Sequence, residues 1–282
     1  MAHRTRERPR GLAAWLVTGL ALVAIALVLV LPLVVVFVEA LREGPARWAA
    51  AVVHPDTLDA LRLTGFVLVI VVPFHAAFGI AAAWAITRYD FPGKGVLLTI
   101  VDLPFAVSPI VSGLLFVLLF GARGIIGPWL AAHDVRIVYA VPGVVLATLF
   151  VTLPFVVREL VPLLEAQGRD EEEAAASLGA GGWAILTRVT LPRIKAGVLY
   201  GCVLCAARSA GEFGAVSVVS GHIRGETNTL PLHVEVLYGE YDFVAAFAVA
   251  SLLALSGLVT LALKAALEQR ARRAEKEGEA LA

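Results

Sequence analysis

The sequence is poor in charged residues. Asp, Glu, Lys and Arg make up 16% of its 282 residues, whereas soluble domains carry roughly 25%. Apolar residues reach 59%, and the mean hydropathy is +0.85. This composition excludes an ordinary cytosolic enzyme. The 23 basic and 23 acidic residues also cancel, so no net field attracts nucleic acid.

Cysteines and catalytic motifs are also scarce. The only two cysteines, Cys202 and Cys205, are too few for a disulfide scaffold, and they lie in an apolar stretch without a second pair, so packing is the favoured interpretation. The sequence contains no H-E-x-x-H, no G-x-S-x-G and no G-x-x-x-x-G-K-[ST]. We therefore expect no catalytic residue, no metal site and no cofactor bound by this chain, and any ATP must be hydrolysed by another protein.

Long uncharged runs are the dominant feature. About 20 mainly apolar helical residues match the ~30 Å hydrocarbon core of a bilayer, and strands of a membrane barrel need only about 9 to 11. The pattern predicts an all-α, polytopic membrane protein with six transmembrane helices. The predicted spans are Gly11–Val38, Leu63–Thr87, Leu103–Ala122, Ile137–Val157, Ala196–Ser220 and Phe243–Leu263.

The distribution of basic residues predicts the orientation. With the N-terminus inside, the predicted inner segments carry 15 Lys and Arg and the outer segments six, counted along the sequence, and basic residues mark the cytoplasmic side. We expect a basic cytoplasmic tail (1–10), a transmembrane permease domain (11–264) and a charged cytoplasmic tail (265–282). Both termini should then lie in the cytoplasm.

The longest inner loop, residues 165–195, predicts two short helices. Four acids at 170–173 open the first helix and Gly179 follows its end, which suits the helix dipole and the cap. Gly181 and Gly182 separate it from a short apolar segment, Trp183–Val189. The residues alone leave two interpretations open: a docking surface for a cytoplasmic partner, or an amphipathic loop on the lipid headgroups.

The same loop resembles the EAA loop of permease subunits of bacterial ABC importers. The resemblance rests on Glu173-Ala174-Ala175, Gly179 and Leu191-Pro192, with Val189 where that family has Ile. It implies the type I ABC importer permease fold and a coupling helix seated on an ATP-hydrolysing subunit. The residues implied in ATPase coupling are Glu173, Ala174, Ala175, Gly179, Ala180, Leu191 and Pro192.

Most of the chain is similar to the sulfate/thiosulfate (CysW-type) permeases of ABC importers. The matching segments are GEFGAVSVVSGHIRGETNTLPLHVEVLY from Gly211, RYDFPGKG from Arg88, DLPFAVSPIVSG from Asp102 and GPWL from Gly127. The resemblance implies a multi-pass protein of the bacterial cytoplasmic (inner) membrane that translocates sulfate or thiosulfate by alternating access. It implies three kinds of partner besides membrane lipid: a second, related permease in a heterodimer, two cytoplasmic ABC ATPases using ATP and Mg²⁺, and a periplasmic or lipid-anchored sulfate-binding protein.

Two ionisable residues inside the predicted fifth span require separate treatment. Arg208 and Glu212 are spaced i and i+4, and a charge facing lipid costs at least about 2.5 kcal/mol. They must face protein or water, either as a structural pair that holds helices together or as part of the substrate pathway. In the second interpretation Arg208, Ser209 and Ser217 line an anion path and Glu212 balances the charge.

Two alternative functions remain at this stage. Molybdate permeases share the GEFG core, so a molybdate or tungstate importer is one alternative. An ion-coupled secondary anion transporter, of a different class, is the other, and Glu212 is the acid deep in a span that it would use.

Overall fold

The computed structural model describes residues 12–281, and the side chains of residues 14–266 and 269. The basic segment 1–10 and Gly11 lie outside the described residues. The described chain is helical, with fifteen α-helices: α1 (Leu12–Ile25), α2 (Leu31–Ala40), α3 (Pro45–Val52), α4 (Pro55–Arg88), α5 (Lys94–Ala106), α6 (Pro109–Phe120), α7 (Gly127–Ala132), α8 (Val141–Thr152), α9 (Pro154–Gln167), α10 (Asp170–Ser177), α11 (Gly182–Ile185), α12 (Leu191–Ala210), α13 (Gly214–Ser220), α14 (Leu230–Gly239) and α15 (Phe243–Leu281). π-Helical turns at Ala26–Val30 and Leu186–Thr190 join their neighbours.

Within residues 12–281, five helical stretches are long and apolar enough to cross a membrane, and a bent pair raises the number to six if that pair is one span. The prediction of an all-α polytopic membrane protein is confirmed. We number these stretches in chain order as span 1 (Ala14–Ala40), span 2 (Pro55–Arg88), span 3 (Lys94–Ala106 with Pro109–Phe120), span 4 (Val141–Gln167), span 5 (Gly182–Ala210) and span 6 (Phe243–Ala266).

Span 3 is not one straight helix, and its break lies at a proline. Its two halves, α5 and α6, meet at an angle of 111°. Pro109 disfavours helical backbone at the residue before it, and Ser108 is accordingly extended, with φ −58° and ψ 136°. The proline therefore ends one helix and starts the next.

Spans 2, 4 and 5 form the core. Val71 and Ala83 of span 2, Leu160 and Leu164 of span 4 and Ile194 of span 5 are fully buried in one cluster. Spans 2 and 4 approach closely at Gly79, where an added Cβ would lie 2.5 Å from Cγ1 of Val156. Small residues let membrane helices approach in this way.

Span 5 begins and ends earlier than the sequence predicts. The predicted short segment Trp183–Val189 is not separate from the span, because the π-turn Leu186–Thr190 joins α11 to α12 and the backbone N–H of Leu191 donates to Leu186 O. Such turns accommodate a proline within a continuous helix. At the other end the helix stops at Ala210, and residues 214–220 form the separate helix α13.

Candidate functional site

Helix α10 carries the residues predicted to couple to an ATPase. Its first turn holds all four acids from Asp170 to Glu173, next to the positive end of the helix dipole. Its end is a Schellman turn: Gly179 N–H donates to Ala176 O at 2.9 Å, and Ala180 N–H donates to Ala175 O at 3.0 Å. The left-handed φ of Gly179, +88°, makes this turn possible.

The surface around α10 is apolar and accessible. Leu178 is 90% exposed and Trp183 is 77% exposed, and Glu173, Ala174 and Gly179 are exposed as well. Large accessible apolar side chains beside acids are suited to contact another protein or lipid headgroups. The predicted contact residues from Glu173 to Ala180 therefore form one continuous segment.

Leu191 and Pro192 lie elsewhere, in the first turn of α12. They are joined to α10 through Thr190, whose hydroxyl donates to Glu172 Oε1 at 2.8 Å. Glu172 also forms a 2.6 Å ion pair with Arg88 at the end of span 2. Sequence reasoning missed this pair, although a basic residue directly after the predicted span Leu63–Thr87 and four acids in a later inner loop were the available signal.

Arg208 and Glu212 form an ion pair of 2.7 Å. The predicted fifth span, Ala196–Ser220, is not one continuous helix, and Glu212 lies in the break between α12 and α13. Its carboxylate is 1% exposed, and Oε1 accepts the backbone N–H of Ala215 at 3.0 Å. Glu212 therefore caps the start of α13 and balances a guanidinium that is 35% exposed.

Arg208 also lines a cavity of about 270 Å³ at the bend of span 3. The other lining residues are Pro104, Phe105, Ala106, Val107, Ser108, Pro109, Val151 and Phe155. The start of α6 is thus part of the wall, and free N–H groups at a helix N-terminus favour anions. An accessible guanidinium and this helix end give the cavity positive character.

The other two predicted pathway residues point elsewhere. Ser209 is buried, and its Oγ lies 3.4 Å from Thr152 Oγ1 of span 4. Ser217 is half-buried, and its hydroxyl donates to Gly214 O in its own helix. Of the four, Arg208 is therefore the residue that lines the cavity and Glu212 its counter-charge.

A buried polar chain next to this site was not predicted. His75 of span 2 is fully buried, and its Nε2 lies 3.0 Å from Thr152 Oγ1. Thr152 in turn contacts Ser209, which lies 3.9 Å from the sulfur of Cys205. A histidine within a predicted span was the available signal. This row of side-chain contacts links spans 2, 4 and 5, and its member Ser209 is the residue next to Arg208 in the sequence.

Metal ligands do not cluster in the described part of the chain, where no three of His, Cys, Asp and Glu lie close enough to hold an ion. Both cysteines are unpaired thiols. The chemistry that these residues offer is anion recognition and protein docking.

Comparison with known proteins gives the family. The profile of the family described as "Binding-protein-dependent transport system inner membrane component" matches residues 75–273. Sulfate transport system permease protein CysW of Escherichia coli (strain K12) is 47% identical over 276 residues, which cover 98% of this chain and 95% of the relative. CysW of Synechocystis sp. is 50% identical over 256 residues, 91% of this chain and 93% of the relative.

More distant similarities agree. Sulfate transport system permease protein CysT of Escherichia coli (strain K12) is 36% identical over 243 residues, 86% of this chain and 88% of the relative. A chain of the bacterial alginate ABC transporter, crystallised with an alginate pentasaccharide-bound periplasmic protein, shares the fold with a TM-score of 0.74 at 17% identity, covering 93% of this chain and 95% of that chain. The protein therefore belongs to the binding-protein-dependent transport system inner membrane components, and within that family to the group of multi-pass permeases that includes the CysW proteins.

Proposed function

We propose that this chain is a permease subunit of an ATP-driven ABC importer that moves sulfate or thiosulfate across the cytoplasmic membrane. The observation that carries the proposal is the similarity, over nearly the whole chain, to relatives named as sulfate transport permeases. The positive cavity at the bend of span 3 suits a small oxyanion, since charge-assisted hydrogen bonds from a guanidinium are strong.

The proposed partners follow from the surfaces and the relatives. Two cytoplasmic ABC ATPases, binding ATP and Mg²⁺, would receive the exposed segment Glu173–Ala180. A second permease would pair with this chain, and the weaker similarity to CysT supports a heterodimer of related but different chains. A periplasmic or lipid-anchored sulfate-binding protein would deliver the anion. Both termini of this chain would be cytoplasmic, in agreement with the basic residues.

Transport would proceed by alternating access, without covalent chemistry in this subunit. ATP binding closes the two ATPases and carries α10 with them. Span 5 consists of α11, the π-turn and α12 in one continuous helix. It moves as a lever and opens the path around Arg208. Hydrolysis reverses the movement, so ATP shifts the populations of two conformations that differ in their affinity for it.

Uptake by the reconstituted complex tests the proposal. Proteoliposomes holding both permeases, the ATPases and the binding protein should accumulate radiolabelled sulfate in an ATP-dependent manner, and unlabelled thiosulfate should compete. Accumulation of molybdate or tungstate in place of sulfate would support the alternative importer. Uptake driven by an ion gradient without ATP would overturn the proposal in favour of a secondary transporter.

A further inference from the structure

The side chain of Arg88 lies at a junction of three helical elements. It ends span 2, yet it is 8% exposed, and its carboxylate partner Glu172 on α10 is 12% exposed. A partly exposed surface ion pair contributes little to the stability of a protein. Removal of one member of a buried pair, in contrast, leaves an uncompensated charge and is strongly destabilising. This ion pair therefore connects span 2 to α10, and removing either member would leave a largely buried charge without its partner.

Nearly all the donors of the Arg88 guanidinium are in use. Nε donates to Glu172 Oε2 at 2.6 Å, and Nη2 donates to Glu172 Oε1 at 3.2 Å. Nη1 donates to Leu164 O at 3.2 Å, and Nη2 also donates to Gly168 O at 2.9 Å. The two carbonyls belong to the last turn and the cap of α9, where a cation is favoured by the helix dipole. One side chain thus joins span 2, span 4 and α10.

Two further contacts fasten the same segment. Thr190, at the start of α12, donates to Glu172, and the guanidinium of Arg169 donates to Thr87 O at the end of span 2. The acids on α10 therefore have different surroundings: Glu172 faces the spans, whereas Glu173 is exposed.

We propose that Arg88 is a positioning residue, which fixes the orientation of α10 and transmits its displacement to spans 2 and 4. Along the chain α10 is joined to spans 4 and 5, so a movement of α10 reaches span 2 through side-chain contacts. The Arg88 junction is the ion-paired one of these, and the contact of Arg169 with Thr87 O lies beside it. The planar fork of arginine serves both carboxylate oxygens and two carbonyls at once, which the single ammonium of lysine does not. This role rests on the proposed function, since it assigns the part that Arg88 has in coupling.

Arg88→Gln in the reconstituted complex tests the proposal. Assembly is measured first, and then the amount of sulfate transported for each ATP hydrolysed. We expect this ratio to fall at least about fivefold, the lower end of common coupling factors, and Arg88→Lys to lie between wild type and Arg88→Gln. Where Arg88→Gln does not assemble, Arg88→Lys and Glu172→Gln provide the measurement.

Arg193→Gln is the matched control. Arg193 pairs with Glu171 of the same helix at 3.1 Å, but both side chains are solvent-accessible, so the same substitution there should leave the ratio unchanged. An unchanged ratio in Arg88→Gln, or an equal decrease in both variants, would overturn the positioning role.

Hydrogen exchange separates this proposal from the proposed function. The backbone amides of residues 170–180 in the assembled complex should exchange faster in Arg88→Gln than in wild type or Arg193→Gln. This readout needs no substrate, so a wild-type complex without sulfate uptake would refute the proposed function alone. Unchanged exchange in Arg88→Gln would refute the positioning of α10 by Arg88.

Discussion

At the scale of single residues, the most informative side chain is Arg208, because its two interpretations predict different behaviour for the same variants. Arg208→Ala leaves Glu212 buried without its partner, which should destabilise the complex by about 3 to 5 kcal/mol and lower the amount assembled. The double variant Arg208→Met with Glu212→Leu removes both charges and should restore much of the assembly. If Arg208 compensates the anion, this double variant assembles yet fails to transport.

The deciding measurement is uptake of labelled sulfate for each assembled complex. Ser217→Ala, which removes a hydroxyl bonded within its own helix, serves as the control and should transport normally. Near-normal uptake by the apolar double variant would eliminate the anion-path role and leave a purely structural pair.

His233 predicts a pH-dependent stability. It lies in α14, outside the membrane spans, with its Nε2 3.1 Å from the buried hydroxyl of Thr57. Burial lowers the pKa of His233 below its ordinary value; among nearby charges, Arg224 and His54 lower it and Asp56 and Glu240 oppose them. The unfolded chain then takes up the proton first, so the free energy of unfolding should decrease as the pH falls below about 6.5.

The measurement is the Tm of the purified complex between about pH 8 and about pH 5. His233→Gln should flatten part of the decrease. Equal slopes in wild type and His233→Gln would contradict this origin of the pH dependence.

At the scale of helices, the end of α10 depends on one backbone conformation. Gly179 adopts φ +88°, and a side chain in a left-handed conformation costs about 1 to 2 kcal/mol. Gly179→Leu should therefore distort the Schellman turn and separate ATP hydrolysis from transport, while membrane insertion stays intact. Both activities are measured in the reconstituted complex.

Gly181→Leu controls for size and apolarity. Gly181 is exposed, has φ −72° and has no neighbour within 4 Å of an added Cβ. Uptake should survive this substitution, and unchanged uptake by Gly179→Leu as well would remove the role of the turn in coupling.

Helix packing in the core gives a prediction on stability. An added methyl group at Gly79 would overlap Val156, whereas at Gly65 of the same helix it would meet nothing within 4 Å. Overpacking costs about 1 to 3 kcal/mol, so Gly79→Ala should lower the Tm and Gly65→Ala should not. Similar Tm values for the two variants would show that span 4 moves to accommodate the added methyl group without a loss of stability.

How much the sequence could predict depends on the range of the interactions. Uncharged runs located the spans, and the acids and Gly179 located α10, because dipole and cap effects act within one turn. The sequence could not predict the size of the bend at Pro109 or the π-turn before Pro192, since proline in a membrane helix is compatible with a kink, a break or a continuous helix. The pairs Arg88–Glu172 and His75–Thr152 join residues 84 and 77 positions apart, and no local pattern specifies such contacts.

At the scale of the whole molecule, topology is the property most open to test. In a variant lacking Cys202 and Cys205, single cysteines are introduced and exposed to an impermeant thiol reagent in intact cells. With six spans, cysteines at Gly93 and Gln269 should be protected, as should one at Arg6, which lies outside the described residues. Cysteines at Pro45, His133 and Gly225 should be labelled.

The bent pair makes this a sharp test. If α5 and α6 form a re-entrant loop, the chain has five spans, and Gly93 and His133 lie on the same side. Gln269 would then be labelled from outside. That result would refute the six-span count and the cytoplasmic C-terminus together.

The bend of span 3 has an electrical consequence. At 1.5 Å per residue, α5 and α6 are about 20 Å and 18 Å long, and folded at 111° they do not present a straight apolar wall of ~30 Å. A dianion entering a cell works against about 2.3 kcal/mol per elementary charge for each 100 mV of membrane potential. Where an apolar barrier is short, the voltage falls over a short distance, and the cavity at this bend is lined by Arg208. If Arg208 compensates the anion, the rate of import should respond to the membrane potential most strongly in the step that moves the anion past this arginine.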